Sequence, residues 1–546
     1  MQIIIVGGVA GGMSAAARLR RLDEHATIIV LERSGYVSFA NCGLPYHIGG
    51  VIESRGDLLL QTPDSLGRRF GIDVRVRHEV TAINREARTV TVRNLETDQT
   101  EELPYDKLVL SPGARPVRPP LPGIERALGL RDIEDTDAIM AALAELPEGA
   151  DRTAVVIGGG FIGVQVAENL IHRDVTVALV EATPQVMAPL DPEMVTPIHR
   201  RLREHGIDLH LGTSVTEITE DAVKLSNGQT LPAALVVAAI GVRPDDALAR
   251  EAGLAVGERG GIVVDAQFRT DDENIFAVGD AVVKKDAVSG DDTLVPLAQT
   301  ANRQGRHVAD VIVGREINDA PVLGTAIVGV FGLMAASTGW NEKRLKAAGR
   351  SYRAIHTHPA DHATYYPGAN TMALKLLFDP QTGEILGAQG TGESGVDKRI
   401  DVIATAMRAG IKARDLADLE LAYAPPFGSA KDPVNILGYI AGNMLDGLVD
   451  TIQWDEIERF QAEGGTLIDI RTPGEFDDGT IPGSLNLPLD DLRDRLDEIP
   501  QGPIVVSCAV GFRGNVGSRL LQQRGHEVLN LDGGYRTWLD GMASRG

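Results

Sequence analysis

The apolar residues of this chain gather in short unbroken runs separated by glycine-rich or polar stretches. A short unbroken apolar run predicts a strand covered on both faces, as in a parallel sheet. The first run is Gln2–Val6; glycine-rich residues 7–12 follow, then a helical pattern over 13–22 and a second strand over 27–31 that ends in Glu32. The same order recurs as a strand over 154–157, glycines at 158–160 and 163, and a strand over 175–180 that ends in Glu181. Further strands are predicted at 108–110, 236–240 and 274–278. Residues 326–445 predict an α+β region, and 445–452 a linker. Beyond it, apolar strands at 467–470 and 504–507 alternate with helical stretches, the pattern of a small α/β domain.

Length and charge narrow the classes open to such a chain. At 546 residues it is expected to form several domains. A net charge of −23 argues against non-specific binding to nucleic acid or to an anionic membrane. No apolar run approaches the roughly 20 residues that span a bilayer. The chain opens directly in a strand, so no secretory leader is expected. Its two cysteines, Cys42 and Cys508, make no disulfide framework, and a cytoplasmic protein with free thiols and no metal centre is expected.

The two glycine stretches carry chemistry. Strand, glycine loop, helix and a second strand ending in an acid make a Rossmann βαβ unit. Gly7 permits the tight turn, Gly12 permits close helix–strand packing, and the helix start beside Gly11 offers N–H groups to a pyrophosphate. Val9 stands where the pattern has its middle glycine. Glu32 is placed for a ribose hydroxyl. In the second unit Gly158, Gly160 and Gly163 fill all three positions, and Glu181 favours NADH because a carboxylate repels a 2′-phosphate. The strand at 108–110 runs into Ser111-Pro112-Gly113, that at 236–240 into Gly241, and that at 274–278 into Gly279-Asp280. Asp280 reads either as a helix N-cap or as a carboxylate aimed at a ribityl chain.

Two dinucleotide units and the Gly279-Asp280 stretch together resemble the two-dinucleotide flavoprotein disulfide reductases. That resemblance implies an α/β protein with FAD on residues 1–112 and 255–325, NADH on 113–254, and an α+β dimerisation domain over 326–445. Arg33, Val80 and Ala298 join the expected cofactor contacts. The resemblance also implies a homodimer whose active site borrows residues from the partner subunit.

Cys42 lies in Ser38-Phe39-Ala40-Asn41-Cys42-Gly43-Leu44-Pro45-Tyr46. Position 47 is His, where the dithiol members of that superfamily carry a second cysteine. A single sulfur must then cycle as thiolate, sulfenic acid or mixed disulfide. The stretch closely resembles the coenzyme A-disulfide reductases and their relatives, the NADH oxidases and peroxidases. The resemblance covers about residues 1–445. It implies a mixed disulfide of Cys42 with coenzyme A, Ser38 and Asn41 holding the pantetheine, and Lys431 as a further contact. Arg18 and Arg21 share one face of the first helix, either as phosphate ligands or as a solvated surface. Tyr365 and Tyr423 match two active-site tyrosines of the family, with interface packing as the plainer alternative. Packing is the favoured role for Tyr366, and a structural hydrogen bond for His47.

Cys508-Ala509-Val510-Gly511-Phe512-Arg513 follows a strand and precedes a helix. Such a loop aims backbone N–H groups at a sulfur anion, with Arg513 adding charge. With Asp469, Arg471, Pro482-Gly483-Ser484 and Asp532-Gly533-Gly534, residues 452–546 resemble a rhodanese domain. Related phosphatases carry one residue more in the loop, which favours sulfane sulfur over phosphate. The resemblance implies a Cys508 persulfide. As a whole the chain is similar to a coenzyme A-disulfide reductase fused to a rhodanese. That implies NADH-dependent reduction of coenzyme A disulfide, coenzyme A persulfides or polysulfide. An oxidase or peroxidase cycling Cys42 through sulfenic acid, a flavin redox sensor, and a rhodanese acting separately on thiosulfate are the alternatives.

Overall fold

The computed structural model describes residues 1–146, 149 and 152–545. Residues 147, 148, 150 and 151 of the expected NADH-binding domain, and 546 of the expected rhodanese domain, lie outside the described residues. The chain divides into two compact units, Met1–Pro184 with Gly206–Gly324, and Gln185–His205 with Thr325–Gly546.

In the first unit a five-stranded parallel sheet runs in the order Ile275–Ala277, Lys107–Leu110, Gln2–Val6, Thr27–Glu32, Asp73–Val76. Alternation along the first strand explains why its run is apolar throughout. Ile3 and Ile5 pack with Met13, Ala16 and Leu19 of helix Ala10–Leu22 and with Val308 of helix Ala298–Ile312. Ile4 faces the other way, into a cluster with Val90, Val92 and Tyr105. Fully burying each such side chain is worth about 1.5–3 kcal/mol. A second, four-stranded parallel sheet runs Asp208–Leu211, Thr176–Glu181, Thr153–Ile157, Leu235–Ala238.

Both glycine loops turn by the same device. Gly7 has φ +100° and Gly158 φ +106°, a region that only glycine enters freely. A Cβ on Gly12 would collide with the carbonyl of Gly7, and one on Gly163 with that of Gly158. The first helix begins at Ala10 rather than at 13, with Val9 in the cap position that Gly160 holds before helix Phe161–Ile171. The strand expected to reach 240 ends at Ala238.

In the second unit a five-stranded antiparallel sheet runs Ala326–Val330, Leu333–Gly339, Ile385–Gly392, Ala373–Phe378, Arg353–Thr357. Helices Val396–Ala409 and Pro433–Leu445 cover it. Helix Pro192–Glu204 belongs to this unit, although in sequence it falls inside the second dinucleotide region. The C-terminal sheet is parallel throughout, in the order Thr451–Ile452, Val528–Leu531, Ile504–Ser507, Thr466–Asp469, Leu485–Asn486. The stretch expected to be a linker therefore ends as an edge strand of this sheet. Among the described residues no helix is long and apolar enough to cross a membrane.

Candidate active site: two thiols in two settings

The acids that close the two βαβ units fold back onto their own glycine loops. Glu32 accepts hydrogen bonds from the N–H groups of Gly8 at 2.7 Å and Ser34 at 2.8 Å, and burial pushes its carboxyl up. Glu181 accepts from the N–H of Gly159 at 2.7 Å and from Thr183 N–H and hydroxyl at 2.8 Å. Each acid thus stands beside its own glycine loop. Gly160 caps helix Phe161–Ile171, and Ala298 begins helix Ala298–Ile312.

Asp280 carries the clearest mark of a missing donor. Its Oδ1 is buried without a hydrogen-bond partner, and burial raises its carboxyl. Leaving a buried acceptor unpaired costs about 1–3 kcal/mol, and a ribityl hydroxyl is the donor that fits. Around it, Gly279 donates its N–H to Gln304 Oε1 at 2.9 Å, and Lys284 Nζ donates to the Gly279 carbonyl at 2.7 Å. Burial pulls Lys284 down to about 8. A Cβ on Gly11 would run into Ser111 Oγ, so the Ser111 side chain lies against this glycine loop. Gly113 (φ +74°) and Gly241 (φ +108°) turn the ends of their strands, and Arg131 donates to the carbonyl of Pro112 at 3.0 Å. Arg33 is exposed and pairs with Asp245 at 2.9 Å; Val80 packs on the neighbouring apolar cluster. Sequence reasoning missed Arg131, Lys284 and Gln304. Only Lys284 left a signal, as a lysine closing the apolar run 281–283.

Cys42 is exposed, on a single turn Asn41–Gly43 that leads into helix Leu44–Gly49. The segment is tied at both ends. Ser38 sits at φ +49°, a strained conformation for a side-chain-bearing residue, and donates its N–H to the Gly8 carbonyl at 2.8 Å. The helix buries Leu44, Pro45 and Ile48 and lies against helix Phe161–Ile171. Gln165 donates to Tyr46 hydroxyl at 3.0 Å, and Arg173 to the Ile48 carbonyl at 2.7 Å. The fold thus fastens the helix that follows the thiol to the helix that starts at the second glycine loop. His47 is buried and uses Nδ1 on the Ile52 carbonyl at 2.8 Å, as expected.

The expected anion ligands differ in how free they are. Arg18 is held by Asp310 at 2.7 and 3.2 Å, and Arg315 reaches the same carboxylate at 2.8 Å. Arg21, Asn41 and Lys431 are exposed. Lys431 precedes Asp432, which caps helix Pro433–Leu445 and takes buried Arg399 at 2.9 Å.

Tyr365 and Tyr423, far apart in sequence, share a hydrogen bond between their hydroxyls at 2.7 Å. They are 74% and 48% exposed, and the bond from Tyr423 raises the Tyr365 phenol. Tyr366 instead meets His362 edge-on, with ring centres 5.8 Å apart.

Cys508 has the opposite setting to Cys42. It is 1% exposed at the end of strand Ile504–Ser507, and Gly511 donates its N–H to Sγ at 3.2 Å. The carbonyls of the loop are gripped from behind: Tyr535 N–H donates to Cys508 at 2.8 Å and Arg536 N–H to Ala509 at 3.1 Å. Arg513 does not point a free charge at the sulfur. Its guanidinium holds both oxygens of Glu475 at 2.8 and 2.5 Å and draws that carboxyl down to about 2. Asp469 and Arg471 pair at 2.6 Å, with Arg471 over the Tyr535 ring at 4.5 Å.

Comparison with known proteins agrees with this geometry. Residues 1–305 match the pyridine nucleotide-disulphide oxidoreductase family, 325–433 its dimerisation domain, and 453–540 the rhodanese-like domain. The coenzyme A disulfide reductase of Staphylococcus epidermidis is 34% identical over 441 residues, 81% of this chain and 99% of that protein. Among solved structures, the reduced CoADR-RHD of Bacillus anthracis is 48% identical with TM-score 0.98, covering 100% of this chain and 98% of its own. The NAD-dependent persulfide reductase of A. fulgidus is 38% identical with TM-score 0.92, covering 98% and 100%. The family uses FAD and NADH, and these are the cofactors of this protein. The chain belongs to the pyridine nucleotide-disulphide oxidoreductase family, and it is an oxidoreductase with a dimerisation domain and a C-terminal rhodanese-like domain.

Proposed function

We propose that the protein is an NADH-dependent reductase of coenzyme A disulfide, coenzyme A persulfide and polysulfide, with Cys42 as its redox sulfur. The observation that carries this is Cys42 itself: an exposed thiol with no cysteine near it in sequence, on the turn before a helix fastened to the second glycine unit. FAD would supply a two-electron relay between NADH and a sulfur–sulfur bond. Gly7, Gly11, Gly12, Glu32, Ser111, Gly279 and Asp280 would hold it, and Gly158, Gly160, Gly163 and Glu181 would hold NADH. The domain division expected from sequence is kept in this reading.

The resting enzyme carries Cys42 in a mixed disulfide with coenzyme A. Two electrons and a proton break that bond and leave a Cys42 thiolate and the thiol of coenzyme A. The thiolate then attacks the coenzyme A sulfur of a persulfide, restoring the mixed disulfide and releasing hydrosulfide. Ser38, Asn41, Arg21 and Lys431 are the residues that would hold coenzyme A, the first two at its pantetheine. Arg18 joins them only by leaving Asp310. The Tyr365–Tyr423 pair, given across a homodimer, protonates the departing thiolate. Cys508 takes sulfane sulfur from a donor persulfide and returns it to the thiolate of coenzyme A, with no net change in oxidation state. Two free thiols and reducing chemistry suit a cytoplasmic location.

Anaerobic titration with NADH tests the reading. The purified enzyme should release free coenzyme A as the Cys42 mixed disulfide is reduced, and Cys42→Ser should release none. Equal release from both proteins overturns it.

A further inference from the structure

The rhodanese loop is not held by its own domain alone. His356, on strand Arg353–Thr357 of the dimerisation region, is buried between two carboxylates. Its Nδ1 lies 2.6 Å from Asp532 and its Nε2 3.0 Å from Glu193, and the three side chains are 2%, 4% and 3% exposed. The backbone N–H of His356 also donates to both oxygens of Asp532, at 3.1 and 3.0 Å. Asp532 directly precedes Gly533-Gly534. A Cβ on Gly533 would meet His356 at 2.7 Å, and one on Gly534 would strike the Cys508 carbonyl. The next residues, Tyr535 and Arg536, grip the Cys508 and Ala509 carbonyls. A continuous line of contacts thus runs from His356 through Asp532 and the glycine pair to the nucleophile.

The protonation of His356 follows from geometry. An ionised carboxylate only accepts hydrogen bonds, and both ring nitrogens face carboxylate oxygens, so both must carry hydrogen. Lys375, the cross-strand neighbour of His356, keeps the far side of the network charged: its Nζ meets Asp191 at 2.9 Å, Glu193 at 2.5 Å and Glu342 at 2.7 Å. Losing one proton would set a bare ring nitrogen against a carboxylate in a dry interior, a cost that releases one partner.

We propose that His356 is a positioning residue for Cys508, acting through Asp532 and only as the imidazolium. The proposal rests on the reading of Cys508 as a sulfur carrier. The groups facing His356 are Glu193 from helix Pro192–Glu204, Asp532 from the rhodanese domain, Lys375 from the adjacent strand, and His358 with Arg536 behind it. Asp191 and Glu342 lie beyond Lys375. Burial alone lowers His356, but Asp532 and Glu193 reverse this and carry it to about 9, whereas burial holds His358 neutral, down to about 3. A histidine raised from 6.5 to about 9 contributes its hold fully below 6.5 and loses it as pH rises through about 9. Thiolate formation at Cys508 would drive the rate the other way, upward with pH.

The test uses full-length, FAD-loaded enzyme, glutathione persulfide as donor and cyanide as acceptor. His356→Gln should lower kcat for sulfur transfer about tenfold or more with KM nearly unchanged, as expected for a misplaced nucleophile. NADH-dependent reduction of coenzyme A disulfide by the same preparation should stay within about twofold, the scatter of a site left untouched. The wild-type transfer rate should fall as pH passes about 9, while the rate of His356→Gln shows no such limb. Adding Asp532→Asn to His356→Gln should cost little more, since both cut one link. A wild-type rate that stays flat or climbs through that pH, once corrected for the ionisation of cyanide that raises it over the same range, overturns the proposal even if no variant folds, and so does a variant with full kcat and an intact limb. Failure of wild-type Cys508 to gain sulfur at any pH overturns the sulfur-carrier reading itself, and the role of His356 with it.

Discussion

Cys42 and Cys508 are prepared for sulfur chemistry in opposite ways. Cys508 is buried, its sulfur receives a backbone N–H from its own loop, and its loop carbonyls are clamped by the start of helix Gly534–Ala543. The loop supplies the donor to the sulfur, and the Asp532–Arg536 segment holds the loop. Cys42 stands exposed on one turn, and what the chain fixes there is position: a strained Ser38 on one side and a helix bound to Gln165 and Arg173 on the other. A loop that solvates its own sulfur can store a persulfide. A sulfur that is merely well placed depends on what is brought to it. The difference matches a carrier and a redox centre on one chain.

Separating the two thiols breaks or sharpens that comparison most strongly. Cys42→Ser should lower NADH-dependent reduction about 10³-fold or more while leaving sulfur transfer to cyanide intact, and Cys508→Ser should do the reverse. Steady-state assays of both reactions on both variants check this, and loss of both activities in either variant would merge the two sites into one. Next in size comes the tyrosine pair. Tyr365→Phe or Tyr423→Phe should each cost the reductase roughly tenfold, because the remaining hydroxyl still serves, and the double variant about 10²-fold. Stopped-flow measurement of thiol release reads the step directly. Smaller again, Glu181→Ala should lower kcat/KM for NADH roughly tenfold, the worth of about 1.5 kcal/mol for one charged hydrogen bond, and narrow the gap to NADPH. Initial rates with the two nucleotides give the ratio.

The readable parts of this molecule share a property: each is written in consecutive residues. The two glycine loops, the acids that end their second strands, the Cys42 stretch and the Cys508 loop each carry their chemical signature in one short segment. The rest depends on approach between distant segments. Arg18 looks like a surface phosphate ligand until Asp310, 292 positions away, takes its guanidinium. Arg513 looks like a free charge until Glu475 occupies it. Helix Pro192–Glu204 carries an ordinary amphipathic pattern, and nothing in it announces that Glu193 will be buried against Lys375 and His356. The hydroxyl bond between Tyr365 and Tyr423 joins residues 58 apart. No periodicity encodes such meetings. The first helix also starts earlier than its pattern suggests, inside the glycine loop at Ala10.

The central claim is that Cys42 cycles through a mixed disulfide with coenzyme A, and mass spectrometry of the purified, non-reduced protein tests it most directly. The account predicts a coenzyme A adduct on the Cys42 peptide that NADH removes, with Cys508 free of it. A Cys42 found as free thiol or sulfenic acid, with no coenzyme A released on denaturation, would contradict it.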